Sequence, residues 1–220
     1  MRHLFLYSDQ EIEANQAMDL HLLAAIAARG SNRRIAYVAS GPEPDRAFFT
    51  AKRDYYRRYD LDLALFFDCD RDGTPAALDA LFACPAIHLT GGHTGQFLER
   101  LRKAGLMGPL RNWALAGGIL IGTSAGAILM TPDIALDRVF LGERAEDMKD
   151  GAGLDLVDFE FFPHWEDEPH FAPDVLRYSL QNGRDIIACR DGEGVVIKGD
   201  TVTFFGAPDV ICKGTRTPAI

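Results

Sequence analysis

The stretch ILIGTSAGAILM at residues 119–130 predicts a strand, a sharp turn and a helix in immediate succession. Residues 119–122 form an apolar run with the length of a buried strand, and residues 122–126 match the pattern G-x-S-x-G. Small residues on both sides of Ser124 suit a strand-to-helix turn, because larger side chains would collide with the strained backbone. Such a turn exposes the serine hydroxyl at the carboxyl end of a sheet, where open α/β sheets place their sites.

An alternation of strands and helices surrounds this turn and extends over most of the chain. Strands before it are predicted at residues 4–7, 34–39, 61–67 and 86–90, and helices at residues 15–29, 45–59, 75–82, 96–103 and 109–115. This order predicts an α/β fold with a mostly parallel sheet and helices on both faces. Beyond residue 154, a helix at 173–180 and short strands at 186–188, 194–197, 201–205 and 210–212 predict antiparallel hairpins that extend the same sheet.

The length and composition favour a single globular domain spanning residues 1–220. Of the 220 residues, 47% are hydrophobic, which provides a sufficient core without disulfides or metals. No apolar run approaches the roughly 20 residues of a membrane span, and no secretory signal is recognisable. With four scattered cysteines, these features predict a cytoplasmic protein with reduced thiols and no membrane partner.

The formal net charge of −9 argues against a nucleic-acid partner, because phosphate backbones are bound by clustered lysines and arginines. The basic run at residues 52–58 is interrupted by Asp54, which favours a solvent-exposed helix face. We expect no cofactor and no bound metal.

A pattern at residues 68–79 is similar to the opening of an EF-hand calcium loop. Loop positions one, three, five and twelve are occupied by Asp68, Asp70, Asp72 and Asp79. However, the preceding segment is a predicted strand rather than a helix, and Pro75 disrupts the usual loop backbone. A polar turn that caps the next helix is therefore favoured over a calcium site.

A serine nucleophile requires a base, and two of the six histidines are candidates. His164 follows an apolar run that ends in a loop, and Pro163 fixes the backbone just before the imidazole. His93, next to a glycine pair, is the second candidate. Three other histidines lie inside or beside predicted strands and helices and are expected to pack or face solvent: His3, His21 and His88.

A third group must orient the base, and two acids occupy a turn between predicted strands. Asp191 and Glu193 both fit this role, and the sequence leaves the choice open. The backbone N–H of Ala125, at the start of the helix after the serine, is suited to stabilise a developing oxyanion.

Several of these residues belong to motifs of a known family. The chain resembles the peptidase E and cyanophycinase family of serine peptidases over residues 4–210, through motifs in the same order: Thr90-Gly91-Gly92, Gln96-Phe97-Leu98, Gly122-Thr123-Ser124-Ala125-Gly126-Ala127, Pro163-His164 and the acid-glycine turn after Ile186-Ile187. The resemblance implies a class I glutamine amidotransferase-like, flavodoxin-like fold. It also implies a serine peptidase with short peptides as substrates, in the manner of a dipeptidase or exopeptidase.

The resemblance assigns roles by position. The catalytic side chains are Ser124 as nucleophile, His164 as general base and Asp191 as the acid, with Glu193 as a rival. The oxyanion hole is assigned to the backbone of Gly92 and Ala125. Three neighbours of these motifs are expected to contact substrate: His93, Thr123 and Glu166.

The segment after His164 departs from the peptidase E pattern. Residues 165–170 have the acidic sequence WEDEPH, and no arginine occurs before Arg177 to bind an N-terminal aspartate. An acidic loop repels a substrate carboxylate and attracts an ammonium group. We therefore expect uncharged or basic N-terminal residues to be preferred over the Asp-Xaa dipeptides of peptidase E.

Two other functions remain open on the sequence alone. The same serine would serve a non-peptidase hydrolase, such as an esterase or amidase. A catalytically silent member of the fold would instead bind a small molecule or a protein. The oligomeric state is also open, and a homodimer is one candidate assembly.

Overall fold

The structure, a computed structural model, describes residues 1–165 and 169–219. Its strands are β1 His3–Tyr7, β2 Arg34–Val38, β3 Asp62–Phe67, β4 Ala86–Leu89, β5 Ile119–Thr123, β6 Glu160–Phe162, β7 Ile186–Ala188, β8 Gly194–Lys198, β9 Thr201–Phe205, β10 Asp209–Cys212 and β11 Thr215–Pro218. Its helices are α1 Gln16–Ala27, α2 Ala47–Arg57, α3 Pro75–Phe82, α4 Thr94–Lys103, α5 Met107–Leu115, α6 Ala125–Ile128, α7 Asp137–Phe140 and α8 Ala172–Asn182.

The main sheet has the strand order β3-β2-β4-β5-β1-β8-β9. Strands β1 to β5 pair in parallel, and β8 and β9 join one edge as an antiparallel hairpin. The mostly parallel α/β sheet predicted from the sequence is confirmed. Because β1 and β4 flank β5, the loops after these three strands leave the same edge of the sheet, next to Ser124.

Alternation of side chains along β1 explains the two-sided core. Leu4 and Leu6 belong to a buried cluster that includes α4 and α5, whereas Phe5 and Tyr7 belong to another that includes α1 and α2. Successive strand residues point to opposite faces, so an uninterrupted apolar strand requires helices on both sides. The predicted helical layers on both faces are thus present.

A second, smaller sheet corrects one expectation from the sequence. The tail strands were expected to extend the main sheet together, but only β8 and β9 do so. Strands β7, β10 and β11 form a separate sheet of order β11-β10-β7-β6, in which β7 is parallel to β6 and antiparallel to β10. The separate sheet has its own core, in which Phe162, Trp165 and Ile211 pack against α8. Alternation within a strand does not specify its pairing partner, which is why the division was not foreseen.

The helix after the serine is shorter than its apolar sequence suggests. α6 is a single turn, and the chain leaves it at Leu129. α7 and β11 were not foreseen either, because four-residue elements are too short to show periodicity. No helix within residues 1–165 and 169–219 is both long and apolar enough to cross a bilayer.

Candidate active site

Ser124 lies on a strained turn between β5 and α6. Its φ of 50° and ψ of −113° are unusual for a residue with a side chain, and its N–H donates to the Tyr7 carbonyl oxygen at 3.0 Å. Glycine is required nearby, because a Cβ on Gly126 would overlap the Leu89 carbonyl group. A Cβ on Gly122 would likewise collide with the backbone of α6. The G-x-S-x-G pattern is therefore a packing requirement of this turn as well as a chemical motif.

His164 faces the serine from the loop after β6. Its Nε2 lies 2.9 Å from the Ser124 Oγ, and its Nδ1 lies 2.7 Å from the Asp191 Oδ1. With the proton on Nδ1, the ring donates to the carboxylate and accepts from the serine hydroxyl. A φ of 54° at His164 turns the chain sharply just after Pro163. The imidazole is thus held between a hydroxyl and a carboxylate.

Asp191 and Glu193 have different partners. The Glu193 carboxylate accepts from the Arg190 N–H and from the Ala207 N–H, each at 2.9 Å, and so braces the turn between β7 and β8. The Asp191 carboxylate instead contacts the His164 ring. The structure therefore places Asp191, rather than Glu193, against the imidazole.

A cleft of about 270 Å³ opens at Ser124 and His164. Gly92 and His93 line one side of this cleft, and Phe140 and Leu141 line another. The loop that contains Gly91 and Gly92, the glycine loop, packs directly on the serine. A Cβ on Gly91 would lie 3.5 Å from the Ser124 Cβ. The first N–H groups of a helix have no intrahelical acceptor, which applies to Ala125 at the start of α6.

Comparison with known proteins identifies the family. The family model described as peptidase family S51 matches residues 4–205. The chain belongs to peptidase family S51. The resemblance to peptidase E seen in the sequence is confirmed, and the expected peptidase class agrees with this membership.

Two relatives of known sequence are named as uncharacterized peptidases. The chain is 33% identical to the one from Listeria monocytogenes over 84 residues, which is 38% of this chain and 41% of the relative. It is 28% identical to the one from Pasteurella multocida over 143 residues, 63% of this chain and 68% of the relative. The chain thus spans about two fifths of the length of the Listeria relative.

Two solved structures share the fold. A peptidase E candidate from Listeria monocytogenes has a TM-score of 0.69 at 22% identity and covers 93% of this chain and 98% of its own. A peptidase from an acI-B1 Actinobacterium has a TM-score of 0.74 at 17% identity and covers 100% of this chain and 94% of its own. At these sequence identities, the structural similarity shows that this chain shares their α/β fold.

Ser8 is a site residue that sequence reasoning missed. Its buried Oγ accepts from the His164 N–H at 2.7 Å and lies 3.0 Å from the Cys189 carbonyl oxygen and 3.1 Å from the Asp191 Oδ1. Ser8 follows β1, so it joins the main sheet to the histidine loop and the acid turn. Its position just after β1, the strand next to β5, was the available signal, because loops after parallel strands share one edge.

The three expected substrate contacts have different outcomes. His93 lines the cleft, and its Nδ1 accepts from the Gln96 N–H at 3.4 Å at the start of α4. Thr123 lies outside the cleft, where its buried hydroxyl donates to Gln10 and contacts His88. Glu166 lies outside the described residues, as does the rest of the acidic segment 166–168.

A closed ring of hydrogen bonds lies beneath the turn. The Thr123 hydroxyl is 3.0 Å from both the Gln10 Oε1 and the His88 Nε2, and the Tyr56 hydroxyl is 3.1 Å from the His88 Nδ1 and 3.2 Å from the Gln10 Nε2. Burial lowers the pKa of His88 well below its ordinary value, and the Lys52 charge lowers it further. His88 is thus a neutral packing residue, as expected from the sequence.

The aspartates of the calcium-like pattern contact an arginine. Arg100 forms ion pairs with Asp68 and with Asp70, the latter at 3.0 Å. Asp72 accepts from the Asp68 N–H at 2.8 Å, and Thr74 caps α3 by accepting from the Ala77 N–H. Among residues 1–165 and 169–219, no group of three or more metal-type ligands converges. The favoured interpretation, a polar turn next to a capped helix, agrees with these contacts.

Proposed function

We propose that this protein is a serine peptidase that hydrolyses short peptides through an acyl-enzyme on Ser124. The observation that carries the proposal is the continuous contact from the Ser124 Oγ to the His164 Nε2, at 2.9 Å, and from the His164 Nδ1 to the Asp191 Oδ1, at 2.7 Å. Membership of family S51 supports peptide bonds as the target.

The first half of the reaction forms the acyl-enzyme. His164 takes the Ser124 hydroxyl proton as the Oγ attacks the peptide carbonyl carbon, and a C–O bond forms. Asp191 keeps the Nδ1 proton in place and stabilises the imidazolium that results. Because the serine already lies at hydrogen-bond distance from the ring, this transfer requires little rearrangement.

The negative charge on the carbonyl oxygen requires donors. We assign this role to the backbone N–H groups of Gly92 and Ala125, which border Ser124 on two sides. Gly92 has a φ of 143°, which suits glycine, and a Cβ there would overlap the Ser40 hydroxyl. Loss of one such donor typically raises the barrier by about 3–4 kcal/mol.

The second half releases the products. The imidazolium of His164 protonates the leaving amine, and the C–N bond breaks. Water then attacks the carbonyl carbon of the acyl ester, with His164 accepting its proton. The C–O bond to Ser124 breaks as the imidazolium returns that proton to the Oγ, and the carboxylic acid leaves. The small cleft of about 270 Å³ supports short peptides as substrates.

Hydrolysis of a dipeptide and tripeptide library tests the proposal. Ser124→Ala should lower kcat/KM by more than about a thousandfold while circular dichroism shows an unchanged fold. Ser31→Ala, at an exposed loop serine, is the matched control and should retain full activity. Unchanged turnover in Ser124→Ala overturns the assignment of the nucleophile. A wild-type protein that cleaves esters but no peptide supports the esterase alternative instead.

A further inference from the structure

A second cavity, of about 560 Å³, lies between α2 and the carboxyl ends of β1, β2 and β4. This volume falls in the range of about 300–1,000 Å³ that is typical of small-molecule sites. Gly91, Gly92 and Thr123 line it next to Ser124. Its other lining residues include Tyr37, Pro42, Phe48, Ala51, Lys52 and Tyr55.

The cavity adjoins the candidate nucleophile. Gly92 lines both this cavity and the cleft that contains Ser124 and His164. Gly91, which also lines the cavity, packs against the Ser124 side chain. The two spaces are therefore adjacent at Gly92, and we infer that a peptide bound at Ser124 reaches both.

The proposed reaction indicates which half of a substrate lies in the cleft at Ser124 and which half lies in the second cavity. His164 protonates the leaving amine, so the leaving group belongs in the cleft that His164 lines. The acyl half extends away from the imidazole. The second cavity, which His164 does not line, is then the space available to the acyl-side side chain.

The walls of this cavity are suited to an aromatic ring. Tyr37, from the sheet, and Tyr55, from α2, line the cavity and are 1% and 7% exposed. Phe48 lies at the rim with 75% of its surface exposed, although large apolar side chains are usually buried. A ligand ring would cover the exposed Phe48 surface and gain from edge and face contacts between rings.

The charged groups of the cavity disfavour an anionic occupant. Asp9 and Glu43 line it together with one cation, Lys52. The Glu43 carboxylate accepts from the Tyr37 hydroxyl and from the Phe49 N–H, and the Asp9 carboxylate accepts from the Gln10 N–H at 2.7 Å. A third carboxylate, from a substrate, would be repelled by both acids.

Lys52 supplies a hydrogen-bond donor rather than an exposed charge. The sequence predicted an exposed basic face here, but the side chain is largely covered, and burial lowers the pKa of Lys52 to about 8. Its Nζ donates to the Gln10 Oε1 at 2.9 Å and lies 5.0 Å from the centre of the Tyr55 ring. An ammonium group has three donors, so it can also bond a ligand oxygen next to that ring.

We propose that this cavity is the acyl-side specificity pocket and that it selects an aromatic side chain, above all tyrosine. The proposal rests on three features that lie together: the aromatic lining of the cavity, the Lys52 donor, and the contact of the glycine loop with Ser124. This inference rests on the proposed function, which sets the orientation of the bound peptide. The experiment distinguishes failure of the pocket from failure of the proposed function.

Binding to the Ser124→Ala variant tests the pocket independently of turnover. Calorimetry with the dipeptides Tyr-Leu, Phe-Leu, Ala-Leu and Asp-Leu should give an affinity for Tyr-Leu at least about tenfold above those for Ala-Leu and Asp-Leu. Ala51→Phe, added to the same variant, fills the cavity and should remove most of this ratio. Ala80→Phe places the same ring on an exposed position of α3 and is the matched control, which should retain the ratio.

A second variant tests the role of Lys52. Lys52→Met retains the length of the side chain without its donors, so the preference for Tyr-Leu over Phe-Leu should fall to about one.

Equal affinities for the tyrosine, alanine and aspartate dipeptides would overturn the proposed pocket. A tyrosine preference that Ala51→Phe leaves intact would overturn it as well. If wild-type protein hydrolyses peptides without this preference, the proposed function stands and the pocket fails. If it binds Tyr-Leu selectively but hydrolyses nothing, the pocket stands and the peptidase fails.

Discussion

Asp191 and Glu193 are separated by one glycine, yet their carboxylates point to different parts of the molecule. Asp191→Asn retains the shape of the side chain but makes an amide that can donate to the His164 Nδ1, which favours the wrong tautomer of the ring. We expect kcat to fall by about 10³–10⁴-fold with little change in KM. Steady-state kinetics on a cleaved peptide measures both.

Glu193→Gln is the control for that substitution. The amide can still accept one of the two backbone N–H groups that the Glu193 carboxylate binds, so the turn should survive with a modest loss of stability. The kcat of this variant should stay within about tenfold of wild type. A larger loss in Glu193→Gln than in Asp191→Asn would reverse the assignment.

The residues alone indicated Ser124 and His164 but left the choice between the acids open, and only the family resemblance favoured Asp191 over Glu193. A serine between glycines and a histidine after proline are local signals. The direction of each acid depends on Gly192, with a φ of 83°, and on the distant Ala207 N–H that holds Glu193. A contact supplied by another hairpin leaves no local signature, which is also why Ser8 was missed.

At the level of elements, close approach of α6 to β4 determines the turn. A Cβ on Gly126 would overlap the Leu89 backbone, which cannot move without breaking the sheet. Gly126→Ala should therefore lower the free energy of unfolding by about 3 kcal/mol or more. In Gly91→Ala the new Cβ makes only ordinary contacts, and the loss should stay below about 1 kcal/mol. Urea denaturation compares the two, and equal losses would contradict the packing argument.

Strand β6, which leads to His164, begins with a buried acid. Burial, together with a smaller effect of the nearby Asp133 charge, raises the pKa of Glu160 from an ordinary 4.5 to about 7 against the opposing charge of Arg184. A carboxyl group that is more basic in the folded state stabilises the fold fully below pH 4.5. That contribution is lost as pH rises through about 7.

Glu160→Gln tests this pH dependence. The amide stays neutral, so the variant should become more stable than wild type above pH 7, by about 2–3 kcal/mol, and the two should converge near pH 4.5. Urea denaturation from pH 4 to 8 measures the difference, with exposed Asp158→Asn as the control. A variant less stable than wild type at pH 8 would mean that the 3.5 Å contact with Arg184 outweighs burial.

The fold class was predictable at this scale, whereas the division of the tail was not. The alternation up to β5 follows from local apolar runs and helix periodicity. Strands β7, β8 and β10 are all short and largely apolar, so their sequences do not indicate which sheet they join. The smaller sheet has a separate core, which includes Trp165 and residues of α8, and this packing is not visible in the strand sequences.

Across the whole molecule, the candidate site exists only where the two sheets meet. Ser124 belongs to the main sheet, whereas His164 and Asp191 follow strands of the smaller sheet. The buried Ser8 hydroxyl connects them, since it contacts the His164 N–H and the acid turn. Ser8 is therefore a positioning residue for the histidine.

Ser8→Ala should lower kcat by about ten- to a hundredfold and leave KM nearly unchanged, because a displaced imidazole impairs chemistry rather than binding. Loss of the hydrogen bond from the His164 N–H should also cost about 1–3 kcal/mol of stability. Ser179→Ala is the matched control, since this buried serine bonds the Leu176 carbonyl and the Gly214 N–H far from Ser124. If both variants lose stability and neither loses kcat, Ser8 has only a structural role.

The central claim is that the Ser124 hydroxyl is activated by the His164 imidazole. Reaction with a fluorophosphonate, followed by intact mass and peptide mapping, tests it most directly. Wild-type protein should gain one phosphonyl group on Ser124, and His164→Gln should react at least about a thousandfold more slowly. Label on any other residue, or equal labelling rates in the two proteins, would contradict the claim.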